Sequence, residues 1–117
     1  MHESGEMYLE TILLLNEKLD VVRSIDIADE MNFSKASVSR AVKILKEGGF
    51  VEDDEKGGLV LTRNGKAIAQ KIYDRHKCLT KYFLQIGVDP KIAEEDACRI
   101  EHVISDESFN AIKKLVK

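Results

Sequence analysis

Apolar residues recur at helical intervals in six stretches of the chain, interrupted near the middle by two short β-prone runs. Met7, Tyr8, Ile12, Leu14 and Leu15 give a first helix one broad apolar face, from an N-cap at Ser4 to about Lys18. After a break at Leu19 to Val22, Ser24 is placed to cap a brief second helix through Ile25, Ile27, Ala28 and Met31. Asn32 and Phe33 form a tight corner. Ser34 then caps a third helix with Val38, Val42 and Leu45 on its apolar side, and Gly48-Gly49 ends it. Phe50-Val51 and Leu59-Val60-Leu61, separated by Glu55-Lys56-Gly57-Gly58, predict a small hairpin. Thr62 caps a long helix carrying Ala67, Ile68, Ile72, Leu79, Tyr82 and Phe83, which stops at Gly87. Asp89-Pro90 supplies the N-cap and first position of another helix through Ile92, Ala93, Ala97, Ile100 and Ile104. Ser105 caps the last, with Phe109, Ile112, Leu115 and Val116 apolar.

The expected fold is therefore mainly α with a small β-hairpin. A winged helix-turn-helix module over residues 1–65 is followed by an all-helical module over residues 66–117, with the long helix passing from one to the other. The chain's 117 residues, 44% hydrophobic and 33% charged, suit one modest core or two small modules and are wrong for a disordered chain. The longest clearly apolar run, Ile12 to Leu15, is far too short to span a bilayer. The first residues are acidic where a secretory signal would be basic, so a cytoplasmic location without membrane attachment is expected. Cys78 and Cys98 are too few for a disulfide framework and are expected as thiols.

A net charge of −3 argues against nucleic-acid binding, because phosphate contacts supply much of that affinity. The average hides a segregation: Ser34 to Lys46 carries Lys35, Arg40, Lys43 and Lys46 and no acid, whereas Asp89 to Glu107 carries seven acids against Lys91 and Arg99. In a winged helix-turn-helix the second helix of the pair enters the major groove. Here its outer face offers Lys35, Ser37, Ser39, Arg40 and Lys43, with Arg40 able to fork onto a guanine and Ser34 and Ser37 able to hold phosphate at the helix start. The plainer reading is a solvated basic face. The following hairpin and glycines favour double-stranded DNA.

Cys98, Glu101 and His102 lie at i, i+3 and i+4, so they share one helix face that offers thiolate, carboxylate and imidazole together. Met7 and Glu10 share a face of the first helix, and His76 lies in the long helix. Together these residues can serve one cation. Each also has an ordinary structural reading: Met7 and Cys98 as core fillers, Glu10 and Glu101 as solvated acids, His76 and His102 as polar residues of buried helices.

With these residues placed, the chain resembles the diphtheria toxin repressor family of iron- and manganese-dependent regulators from about Glu6 to Lys117. The most specific stretch is Asp96-Ala97-Cys98-Arg99-Ile100-Glu101-His102-Val103-Ile104-Ser105-Asp106-Glu107. Glu6-Met7-Tyr8-Leu9-Glu10, Asp26-Ile27-Ala28, Leu61-Thr62 with Gly65-Lys66, and Arg75-His76 support it. The resemblance implies a metal site from Met7, Glu10, His76, Cys98, Glu101 and His102, and a homodimer made through the C-terminal helices. It also implies repression of metal-homeostasis genes from operator DNA, with the metal as co-repressor and no enzymatic activity. Met7 and Cys98 resemble the iron-type branch and Glu10 the manganese-type branch. Sulfur donors rank Fe(II) above Mn(II), with Zn(II), Co(II) or Ni(II) as substitutes. Thr80 stands where many relatives carry a glutamate for a second metal, and Ala36 and Arg40 depart from the usual reading helix. The barrel-like third domain of some relatives is not expected here.

Two other readings share much of this pattern. One is a metal-independent winged-helix regulator with Cys98 as a redox trigger. The other is an interaction module built on structural zinc, which would unfold without its metal. A hydrolytic zinc enzyme needs an open coordination position and a cleft, of which the sequence gives no sign.

Overall fold

The computed structural model describes residues 1–117. Six helices and one hairpin follow in the order α1 (Glu3–Lys18), α2 (Ser24–Met31), α3 (Lys35–Glu47), β1 (Val51–Asp53), β2 (Leu59–Leu61), α4 (Arg63–Gln85), α5 (Pro90–Ile100) and α6 (Asp106–Leu115). They form two compact units, Met1–Gln70 and Lys71–Lys117, with α4 running through the boundary.

In the first unit, α1 buries Tyr8, Leu9, Ile12, Leu13 and Leu15. With Val22, Ile27, Val38, Val42 and Leu45 they make the core. The helix starts two residues earlier than a cap at Ser4 would allow: Glu6 N–H donates to the His2 carbonyl at 3.1 Å. Glu3 and Glu6 in its first turn suit the positive end of the helix dipole. At α2 the N-cap is Arg23 instead of Ser24, and Asp26 Oδ2 accepts from the Arg23 N–H at 2.8 Å. Asn32 ends α2 at φ 57, a left-handed corner that asparagine tolerates and that turns the chain into α3. Ser34 caps α3 as expected, its Oγ accepting from Ser37 N–H at 3.1 Å.

The hairpin pairs Val51 with Leu61, Glu52 with Val60 and Asp53 with Leu59. Its turn is held by Asp54, whose Oδ1 accepts from the N–H groups of Lys56 and Gly58, both at 2.8 Å. Leu59 N–H donates to the Val22 carbonyl at 2.7 Å, so the wing is tied to the segment between α1 and α2. Gly65 is a steric requirement, because a Cβ there would stand 2.0 Å from the Phe50 carbonyl oxygen. Thr62 caps α4 by accepting from the Gly65 N–H at 3.2 Å.

In the second unit, Leu79 of α4, Ala97 of α5 and Phe109 of α6 form the core, with Cys78, Phe83, Ile100, Ile104 and Ile112 packed against them. Asp89 caps α5 with Pro90 at its first turn, and Ser105 caps α6. The Gln85 amide clamps the chain end, donating to the Leu115 carbonyl at 2.8 Å and accepting from the Lys117 N–H at 3.0 Å. Leu84, Ile86, Ile92, Val103 and Leu115 remain exposed on this unit. No helix is long and apolar enough to cross a membrane.

Candidate metal centre and nucleic-acid interface

α5 ends at Ile100, inside the motif it was expected to carry whole, so that Cys98 lies in the helix and Glu101 and His102 lie beyond it. Glu101 is its C-cap, with the Glu101 N–H still donating to the Ala97 carbonyl at 3.0 Å, and His102 lies in the turn that follows. This placement separates the three residues by environment. The Glu101 side chain is wholly buried and that of His102 is 1% exposed, whereas Cys98 is exposed.

His76 Nδ1 lies 2.7 Å from Glu101 Oε2, and His102 Nε2 lies 3.2 Å from Glu101 Oε1. Burying a carboxylate is costly unless it is paired and hydrogen-bonded, and here an imidazole nitrogen approaches each of its oxygens. Two imidazoles converging on one buried carboxylate is a donor set that fits a divalent first-row metal. The Thr80 hydroxyl donates to the His76 carbonyl at 2.8 Å. Met7 and Glu10 are half-buried on α1 in the first unit. Both cysteines are thiols. Burial pushes the Cys78 thiol up from its ordinary value, against the pull of Lys113 and Lys81, which disfavours the reactive thiolate.

On α3, Lys35, Ser39, Arg40 and Lys43 are exposed, and their spacing of four, one and three residues puts them along one side of the helix. Ser37 is half-buried and its hydroxyl accepts from Ser34 Oγ at 2.9 Å, so these two serines are engaged with each other at the helix start. Lys46 is turned to the wing, where its Nζ meets Asp53 at 2.9 Å. The wing itself is acidic, with Glu52, Asp53, Asp54 and Glu55 against Lys56, and Lys56 is paired with Asp20 at 2.8 Å. α3 therefore presents Lys35, Arg40 and Lys43 together on an exposed basic side, while the wing is acidic.

Residues 1–59 match the family described as the iron dependent repressor N-terminal DNA binding domain, and residues 62–117 match its metal binding and dimerisation domain. The chain belongs to the iron-dependent repressor family. An HTH-type transcriptional regulator of Methanocaldococcus jannaschii is 34% identical over 97% of this chain and 92% of its own length. The transcriptional regulator MntR of Escherichia coli O6:H1 is 32% identical over 91% of this chain and 68% of its own. Among solved structures, the manganese regulator SloR superposes with a TM-score of 0.83 at 28% identity over 95% of this chain. A manganese-dependent transcriptional repressor superposes with a TM-score of 0.87 at 24% identity over 96% of the chain, which shows the fold. The chain spans about half of each of these structures, 52% in both. Family membership supports divalent-metal binding. The expected preference for Fe(II) over Mn(II) finds no support in the comparison with SloR.

Arg75, next to His76 on α4, donates to the backbone carbonyl of Glu101 at 3.3 Å, a contact that spacing alone does not predict. It is buried, and a signal for it existed: it falls three residues after Ile72 and four before Leu79, on the apolar stripe of α4.

Proposed function

We propose that the protein is a homodimeric transcriptional repressor whose affinity for operator DNA rises when a divalent cation binds. The observation that carries this reading is the buried Glu101 carboxylate between His76 and His102, in a family of metal-binding, DNA-binding repressors. The ligand core is His76, Glu101 and His102. Met7, Glu10 and Cys98 are further donors proposed from their sequence positions. The buried core holds nitrogen and oxygen but no sulfur, and these donors suit Mn(II) as well as Fe(II). Manganese is the ion named for SloR.

A bound cation would supply positive charge to balance the buried Glu101 carboxylate and would favour one arrangement of the residues that hold it. The Glu101 carboxylate anchors the centre, and the two imidazoles hold it on either side. The conformation these residues adopt when loaded is the one competent for DNA, and the equilibrium moves by the difference in affinity between the two states. On α3, Arg40 reads a base edge while Lys35 and Lys43 meet phosphates. Leu84, Ile86, Ile92, Val103 and Leu115 give the second unit the apolar surface a dimer needs. Two-fold symmetry then sets two operator half-sites about 34 Å apart. Such a protein works on chromosomal DNA in the cytoplasm.

The test is fluorescence anisotropy with the DNA upstream of its own gene, first with chelator and then with Mn(II), Fe(II) or Zn(II) at fixed salt. Tight binding only with metal is expected. Equal binding under chelator overturns the switch, and loss of the helical circular dichroism under chelator points instead to structural zinc.

A further inference from the structure

Two of the proposed ligands, Glu101 and His102, sit where α5 ends and not within a helix, and sites on loops are held less precisely than sites on regular elements. A helix C-terminus also leaves as many as four carbonyls without intrahelical partners. One side chain answers both needs. Arg75 immediately precedes His76 on α4 and is 6% exposed. Its Nη1 donates to the carbonyl oxygens of Glu101 at 3.3 Å and Ile104 at 2.8 Å. Its Nη2 donates to the Asp106 carboxylate in the first turn of α6. The guanidinium carbon lies 5.2 Å from the centre of the Phe109 ring, which belongs to the core of this unit. Glu101 is thus held from α4 twice, by its side chain through His76 and by its backbone through Arg75.

We propose that Arg75 is a positioning residue for the metal centre. Its fork pins the Glu101–Ile104 turn between α4 and the start of α6, so that the carboxylate of Glu101 and the imidazole of His102 are presented in place before a cation arrives. The inference rests on the metal-centre reading above. A guanidinium is suited to the task because its planar donors bond three acceptors at once, and its charge complements the negative end of α5. A lysine at this position keeps the charge and the helix but lacks the fork, so it separates charge from geometry.

The experiment compares the full-length wild type with Arg75→Lys and Asp106→Asn. Mn(II) affinity is measured by titration, the Co(II)-loaded proteins are compared by visible absorption, and the metal-free fold is followed by circular dichroism. Arg75→Lys is expected to bind Mn(II) about 10- to 100-fold more weakly, as changes to groups supporting ligands do, with an altered Co(II) spectrum and unchanged metal-free helicity. A variant with wild-type Mn(II) affinity and the wild-type Co(II) spectrum overturns the proposal. Should Arg75→Lys fail to fold, Asp106→Asn decides, since the Asp106 side chain is 71% exposed and its loss leaves the core intact. Weaker Mn(II) binding by Asp106→Asn supports the strut, and unchanged binding refutes it. Failure of the wild type to bind any of these ions overturns the metal centre itself, and the role of Arg75 with it.

Discussion

Replacing Glu101 by glutamine keeps the shape of a wholly buried side chain and removes its charge, so metal affinity and fold stability should part company. In the metal-free protein the change weakens the contacts to His76 at 2.7 Å and His102 at 3.2 Å, while the amide retains one acceptor and gains a donor. A hydrogen bond to a charged group contributes about 1.5–3 kcal/mol, so weakening the one to His76 costs the metal-free fold about 1–3 kcal/mol. Metal affinity should fall by at least the roughly 100-fold seen when supporting groups are altered, because a neutral amide is a poor ligand for a hard cation. Thermal unfolding by circular dichroism reads both effects. With metal at about 100 times the wild-type Kd, binding stabilises the wild type by about 2.7 kcal/mol. For a chain of this size that raises Tm by roughly 10 °C. The variant, with its Kd near the metal concentration, gains about 0.4 kcal/mol, or roughly 2 °C. An equal metal-induced rise in both proteins would refute the role given to this carboxylate.

Other changes probe the remaining parts of the account. His102→Ala should abolish the metal response of DNA binding and spare the fold, whereas Cys98→Ser, at an exposed position, should weaken metal binding less; titration with Mn(II) ranks the two. Lys43→Ala should weaken binding to all DNA sequences and lower the slope of log K against log salt by about one, whereas Arg40→Ala should cost about 1–3 kcal/mol on the operator alone. Gly65→Ala drives a Cβ to 2.0 Å from the Phe50 carbonyl oxygen and should destabilise the first unit by about 1–3 kcal/mol or more, read by denaturant unfolding.

The elements that could be read from the sequence are those specified by local chemistry. Ser34, Thr62, Asp89-Pro90 and Ser105 begin their helices where a capping oxygen or a fixed φ predicts, and Gly49 and Gly87 follow helix ends at positive φ. The start of α1 was misplaced because Ser4 is a good cap in isolation, while the acidic residues Glu3 and Glu6 favour an earlier start. At the centre, spacing put Cys98, Glu101 and His102 on one helix face, but α5 ends before Glu101, and spacing carries no information on burial. It could not tell that Cys98 is exposed and Glu101 enclosed, nor that the helix ends between them. Partners on other elements were equally hidden: Lys46 is drawn to Asp53 in the wing, and Arg75 reaches Ile104 and Asp106, 29 and 31 residues away. A charged residue on an apolar stripe was the one available sign, and it does not name a partner.

If metal and DNA bind the same conformation of the dimer, thermodynamic linkage offers a direct test. When its ions together raise operator affinity by some factor, the operator must raise their combined affinity by the same factor. A shift from mostly incompetent to mostly competent protein corresponds to a preference on the order of 5.5 kcal/mol, or about 10⁴-fold. The measurement is the Mn(II) affinity of the protein alone and on saturating operator DNA, at one salt concentration. With one ion in each subunit of the dimer, the Mn(II) Kd should be tighter on DNA by about the square root of the ratio found for DNA binding with and without the ion; a Kd that operator DNA leaves unchanged would contradict the switch.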